Sequence, residues 1–259
     1  MKVIESILTK NPCYTAGRKI TVKGLMIHSV GCPQPKASVF VKNWNDSSYD
    51  RACVHGFIDA LTGDVYQTLP WNHRGWHGGG SSNNTHIGVE MCEPASIKYT
   101  GGSSFTCSDP TKAKEMVQRT YNSAVELFAF LCNKYNLDPM KKGVIVSHKE
   151  GAKLGIASNH GDPEHLWKGL GLPYTMDIFR QAVKDCMKGD VKAYPATPFK
   201  VKVNVPDLNF RSEPSMNGVV KGQTGKGTFT ISEVKDDWGK LKSGAGWIYL
   251  GNTEWCTIK

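Results

Sequence analysis

The chain has 259 residues, 39% of them hydrophobic and 21% charged. That is enough for one large domain or two unequal ones, and it excludes a disordered or collagen-like chain. Lys plus Arg (32) exceeds Asp plus Glu (23), giving a formal net charge of +9 that favours a polyanionic partner. The basic residues form only short pairs such as Lys141-Lys142, without interleaved aromatics, so nucleic acid is not the expected partner.

From the start, Met1 to Ile20 has neither a basic n-region nor an apolar h-region. No apolar run reaches the roughly 18–20 residues a membrane span needs, so neither a signal peptide nor a membrane anchor is expected. Gly24 to Ser29 is a short apolar run ending in polar residues, and Ala52 to Ile58, Asp64 to Leu69, His86 to Cys92 and Gly143 to His148 read alike, as strands of one sheet. From Asp109-Pro110 to Tyr135, apolar residues at 117, 121, 124, 128, 131 and 135 keep helical spacing, with Asp109 as N-cap. Tyr174 to Met187 repeats that pattern. Strands alternating with helices predict an α/β domain over residues 1–189. A Pro- and Gly-containing stretch, 190–199, reads as a linker. Residues 200–259 lose the helical period and show short alternating runs between turns, the pattern of a small all-β barrel. The eight cysteines form no C-x-x-C pair, and free structural thiols are expected.

His28 and His148 each end an apolar run. A histidine at a strand end is either a satisfied structural residue or, where two strands end alike, a metal ligand. The polar loop Ala157 to Pro163 adds Asp162, which either caps the turn before Pro163 or completes the three protein ligands of a catalytic zinc site.

Five ordered blocks carry a resemblance. They are Met26-Ile27-His28-Ser29, His55 to Asp59 with Gly63 to Gln67, Gly75 to Gly79, Ile87-Gly88-Val89-Glu90, and Ser147-His148 with His160 to Pro163. Together they resemble the N-acetylmuramoyl-L-alanine amidase type 2 family, which shares its fold with peptidoglycan recognition proteins and phage T7 lysozyme. The resemblance implies a mixed central sheet with packed helices, a Zn2+ ion held by His28, His148 and Asp162, and Glu90 as the acid/base group. His160 stands where that superfamily places a lysine, and a cationic imidazole there would stabilise an oxyanion. Trp76 and His77, in a glycine-rich stretch, are expected at the substrate. Relatives that lack the third ligand bind peptidoglycan without cutting it, so Asp162 separates an enzyme from a non-catalytic wall-binding protein. A cysteine peptidase using Cys53 or Cys32 with His148 lacks the Gly-flanked cysteine at a helix start.

Residues 200–259 resemble a bacterial SH3 (SH3b) domain through Leu208 to Ser215, Asp237 to Leu241 and Gly246 to Leu250. That resemblance implies wall targeting, and the segment's nine basic and six acidic residues suit an anionic wall. The two-part plan resembles phage endolysins and autolysins. The expected route is synthesis in a host cytoplasm followed by release to the wall, or export by a non-classical route.

Overall fold

The computed structural model describes residues 1–187, 194–215, 218–235 and 237–259. The chain divides into two compact units, Met1–Lys188 and Gly189–Lys259. The first four residues of the expected linker, 190–193, lie outside the described residues.

In the first unit the elements run β1 (Val3–Glu5), α1 (Pro12–Thr15), β2 (Gly24–Ser29), α2 (Ala37–Trp44), β3 (Gly56–Ile58), β4 (Val65–Gln67), β5 (His86–Met91), β6 (Ile97–Gly101) and β7 (Ser104–Cys107). There follow α3 (Pro110–Tyr135), β8 (Ile145–Ser147), α4 (His148–Lys153), α5 (Glu164–Gly169) and α6 (Met176–Met187). A six-stranded sheet has the order β1-β4-β3-β5-β2-β8. It is mixed: β3 runs antiparallel to β4, and β5, β2 and β8 run parallel. All six residues of β2 are buried, as expected of a central parallel strand covered on both faces.

Strand side chains alternate between faces, and this places the chemistry. Leu25 and Ile27 of β2 and Ile87 and Val89 of β5 enter one core with Val117, Phe128 and Leu131 of α3 and Phe179 of α6. Each large apolar side chain buried there contributes about 1.5–3 kcal/mol. Met26 and His28, and Gly88 and Glu90, therefore point to the opposite face, where His28 and Glu90 are direct register partners. α3 forms where its apolar spacing predicts. The Asp109 side chain caps it by accepting from the Lys112 N–H at 3.0 Å, Pro110 opens it, and Asn136 ends it in the left-handed region at φ 51°. Gly143 to His148 yields a shorter strand than its pattern suggests. Ser147 breaks it by capping α4, accepting from the Glu150 N–H at 3.0 Å, so His148 opens a helix instead of closing a strand. Among the described residues no disulfide joins any of the eight cysteines, and four of them are buried.

Beneath the site, His55 is fully buried with both ring nitrogens engaged. Its Nδ1 accepts from the Gly88 N–H at 3.0 Å and its Nε2–H donates to the His73 carbonyl at 2.8 Å. That network holds the neutral ring, and burial lowers its pKa from 6.5 to about 4. The stability it contributes is complete above the unfolded value of 6.5 and is lost as the pH falls toward 4, a total of about 3 kcal/mol. A His55→Gln variant is expected to show a flatter dependence of urea-unfolding free energy on pH across that interval. Equal slopes for the two proteins would reject this source of acid sensitivity.

The second unit comprises β9 (Phe199–Val203), β10 (Asn209–Arg211), β11 (Val220–Gln223), β12 (Gly227–Lys235), β13 (Trp238–Leu241), β14 (Trp247–Tyr249) and β15 (Cys256–Ile258). They form one antiparallel sheet in the order β11-β10-β14-β13-β12-β9-β15. In β9, Phe199, Val201 and Val203 are buried and the intervening lysines exposed. Those three pack with Ile231, Ile248 and Leu250. Trp238 and Trp247 are buried, and Phe210 is half-buried.

Candidate active site

Three side chains from three segments converge where β2 and β8 end. The His28 Nδ1 lies 3.1 Å from the His148 Nδ1 and 3.2 Å from the Asp162 Oδ2. The Asp162 Oδ1 lies 3.6 Å from the His148 Nδ1. Both histidines are buried, and the Asp162 side chain is 13% exposed. The loop carrying Asp162 is tied down by the Ser29 N–H, which donates to its Oδ2 at 3.4 Å, and by the Lys149 N–H, which donates to its backbone carbonyl at 3.4 Å.

The partners on the far side of each ring define the tautomers. The His28 Nε2 is 3.1 Å from the His77 Nδ1, and the His77 Nε2 is 3.1 Å from the His86 carbonyl oxygen. That carbonyl can only accept, so His77 donates to it from Nε2–H and accepts from the His28 Nε2–H at Nδ1. The His148 Nε2 faces the Ser158 Oγ at 3.1 Å, and the Ser158 hydroxyl reaches the Gly78 carbonyl at 3.3 Å. Both imidazoles thus keep their hydrogens outward and turn bare Nδ1 lone pairs toward each other beside a carboxylate. Two facing lone pairs and an anion repel unless a cation lies between them. The donor set, two nitrogens and a carboxylate oxygen within 4.8 Å of one another, fits a zinc ion with an open position.

Burial would lower the His28 pKa, but the adjacent Asp162 and Glu90 carboxylates outweigh it and raise the value, the response of a site that draws positive charge. Burial, followed by the neighbouring His28, lowers the His148 pKa to about 4, and burial holds His77 well below its ordinary value. Burial alone would raise the Asp162 carboxyl, but the adjacent His28, followed by His148, outweighs it and holds the group below the usual range. Glu90 is half-buried, and its Oε2 is enclosed without a hydrogen-bond partner among the described residues. Burial raises its pKa to about 8, with the Asp162 charge adding to the effect and His28 opposing it.

These groups line an open cleft of about 800 Å3. Glu90 and Trp76, the latter 45% exposed, are among the residues that line it. His77 also lines the cleft, but both its nitrogens are turned inward. A Cβ on Gly88 would lie 2.3 Å from the His77 Cγ, so a glycine is what lets that ring pack against β5 behind His28. The Asn83 Oδ1 accepts from the backbone N–H groups of His77 and Gly78, each at 2.8 Å, and fixes the turn. His160 is exposed, with its Nδ1 3.0 Å from the Ser158 Oγ and 3.2 Å from the His148 Nε2.

The structure also brings in residues that the sequence does not single out. Ser158 orients His148. Tyr99, on β6, lines the cleft and connects Glu93 (2.8 Å) to His165 (2.7 Å). Arg51 and Lys149 supply positive charge at the rim.

A family model described as N-acetylmuramoyl-L-alanine amidase matches residues 17–165, a span that contains every one of the converging side chains. The chain belongs to the N-acetylmuramoyl-L-alanine amidase family. It is an enzyme, an amidase of the hydrolase class. No curated protein matches the amidase. Among solved structures, it resembles the Staphylococcus aureus hydrolase AmiA in complex with its ligand, at 19% identity and a TM-score of 0.55, over 72% of this chain and 83% of that one. It also resembles the PlyG catalytic domain, at 16% identity and a TM-score of 0.50, over 76% of this chain and 99% of that one. At these identities the likeness establishes the fold. Among the described residues, no helix of the amidase is long and apolar enough to cross a membrane.

Proposed function

We propose that the first unit is a zinc-dependent peptidoglycan hydrolase that cleaves the amide between the lactyl group of N-acetylmuramic acid and L-alanine, as a wall-lytic enzyme of endolysin or autolysin type. The observation that carries this reading is the pair of bare Nδ1 atoms on His28 and His148, converging with Asp162 beside Glu90 in an open cleft.

His28, His148 and Asp162 would hold the ion. Zinc, when bound, supplies Lewis acidity toward water and the scissile carbonyl, and a charge that draws Glu90 toward its ionised form. Glu90, as carboxylate, takes the proton of the attacking water at its Oε2 and returns it to the nitrogen of the leaving L-alanine. His160, on the exposed side of His148, donates a hydrogen bond to the carbonyl oxygen as negative charge develops there. Trp76 offers its exposed ring to the saccharide or peptide. His77 lies against the substrate through its ring edge only, and its main work is holding the His28 tautomer. Mass spectrometry of fragments released from purified wall is expected to show new free N-terminal L-alanine. Cleavage within the glycan or between peptide residues would replace this assignment.

The second unit is read as an SH3b-type module that binds the wall and raises the concentration of the catalytic unit at its substrate. Its support is the sequence resemblance together with a small antiparallel sheet around its own core. In a sedimentation assay with purified wall, the full chain is expected to pellet, and a chain ending at residue 188 to pellet far less. Equal pelleting of both would remove the targeting role.

A further inference from the structure

In the second unit, lysines gather on one face of the sheet. The buried Phe199, Val201 and Val203 of β9 alternate with exposed Lys200 and Lys202, so both lysines stand on the face away from the core. Strand register carries that face sideways. Lys202 is opposite Thr228 of β12 and Thr257 of β15, and Lys200 is opposite Thr230 of β12. Beyond Thr230, the residue after β13 joins the same row, its Lys242 N–H donating to the Thr230 carbonyl at 2.8 Å. On the other side, the Lys259 N–H donates to the Lys200 carbonyl at 2.9 Å and adds a further ammonium group. All four lysines are exposed, and among the described residues none of them forms an ion pair. Glu233, farther along β12, is taken by Lys240 at 3.2 Å and compensates none of them. Protection of a sheet edge does not account for Lys200 and Lys202, since β9 lies between β12 and β15.

We propose that this face binds a linear phosphodiester polymer carried on the wall, with successive phosphates lying along the rows of lysines. The proposal rests on the reading of the second unit as a wall-targeting module, and names the face and the chemistry that the module recognises.

Spacing and chemistry both favour that ligand. Lys200 and Lys202 are two strand residues apart, about 7 Å, and Lys200 and Lys242 are two strands apart, about 10 Å, distances that long flexible side chains close onto neighbouring phosphates. An ammonium group meets phosphate as a compact point charge without the planar geometry a guanidinium imposes, which suits a flexible chain. The threonines between the lysines add hydroxyls. The Thr257 Oγ1 accepts from the Asn204 Nδ2–H at 3.0 Å, so its own O–H is left to donate to a phosphate oxygen. A stem peptide offers carboxylates at scattered points, whereas a phosphodiester chain offers one charge per unit along its length, and rows of ammonium groups can follow it.

The test incubates the native full chain on ice with purified wall rich in phosphodiester-linked polymers, and with the same wall after cold hydrofluoric acid, which cleaves phosphodiesters and leaves the peptidoglycan. The treated wall is expected to retain on the order of tenfold less protein. Retention by the untreated wall is expected to fall as salt rises past about 0.1 M, where exposed charges are screened beyond about 10 Å. Amine acetylation of the native chain on untreated wall, mapped by mass spectrometry, is expected to spare Lys200, Lys202 and Lys242 while exposed Lys141 and Lys142 react, which locates the face without any substitution. A variant carrying Lys200→Gln, Lys202→Gln and Lys242→Gln is expected to sediment alike with both walls, at the lower level. Equal retention of the native chain by the two walls would overturn the proposal and leave the targeting reading in place, with glycan or peptide as the ligand. Retention by neither wall would remove both. Full acetylation of the three lysines on the wall would overturn the placement on this face.

Discussion

Replacing Glu90 by Gln is expected to lower wall hydrolysis by about 100- to 10,000-fold while leaving the fold and bound zinc intact, the range associated with loss of a positioned general base. The substitution keeps the shape of the side chain and removes its proton-accepting oxygen. Glu90 pairs in register with His28 across β5 and β2, so the period-2 alternation that sends Ile27 and Val89 into the α3 core also presents the carboxylate on the metal-binding face. Its Oε2 is enclosed with no donor to satisfy it among the described residues. An unpaired buried carboxylate oxygen costs about 1–3 kcal/mol or more, a cost that fits a group reserved for a proton in the reaction. Activity within about tenfold of the parent would remove Glu90 from the general-base role.

The second large effect is at Asp162. Asp162→Ala is expected to lose both zinc and hydrolysis, by more than the roughly 10- to 100-fold that removal of an orienting partner costs. The carboxylate is the only anion among the three converging groups, and without it two neutral imidazoles face each other at 3.1 Å. It also accepts from the Ser29 N–H, so circular dichroism must show that the variant is folded. Retained lysis with zinc absent would contradict the metal reading. Retained zinc with lysis lost would move Asp162 from ligand to substrate contact.

Much of this site is legible in the sequence, because its parts sit where local patterns are strongest. His28 and Glu90 each follow an apolar run that can only be a strand, and alternation sets their facing. Asp162 lies in a polar loop between two secondary elements. What escapes is tertiary. Nothing local marks Ser158 as the partner of His148, and the inward turn of His77 depends on the missing Cβ of Gly88 on a different strand. The helix beginning at His148 had a signal in Ser147 and Glu150, which have the spacing of a capping box, but the preceding apolar run makes the segment read as strand. α2 and the β6–β7 hairpin are too short and too mixed in composition to stand out, and so Tyr99 was hidden from sequence reasoning. In the second unit, alternation in β9 identifies the buried face, and pairing across the sheet could not be read from any one strand.

Whether these three side chains hold a metal that the hydrolysis requires is tested most directly by native mass spectrometry of the purified full chain. The predicted result is about one zinc ion per chain, lost on chelation together with wall hydrolysis and regained with it when zinc is returned. A chain that carries no zinc and still releases N-terminal alanine from wall would contradict it.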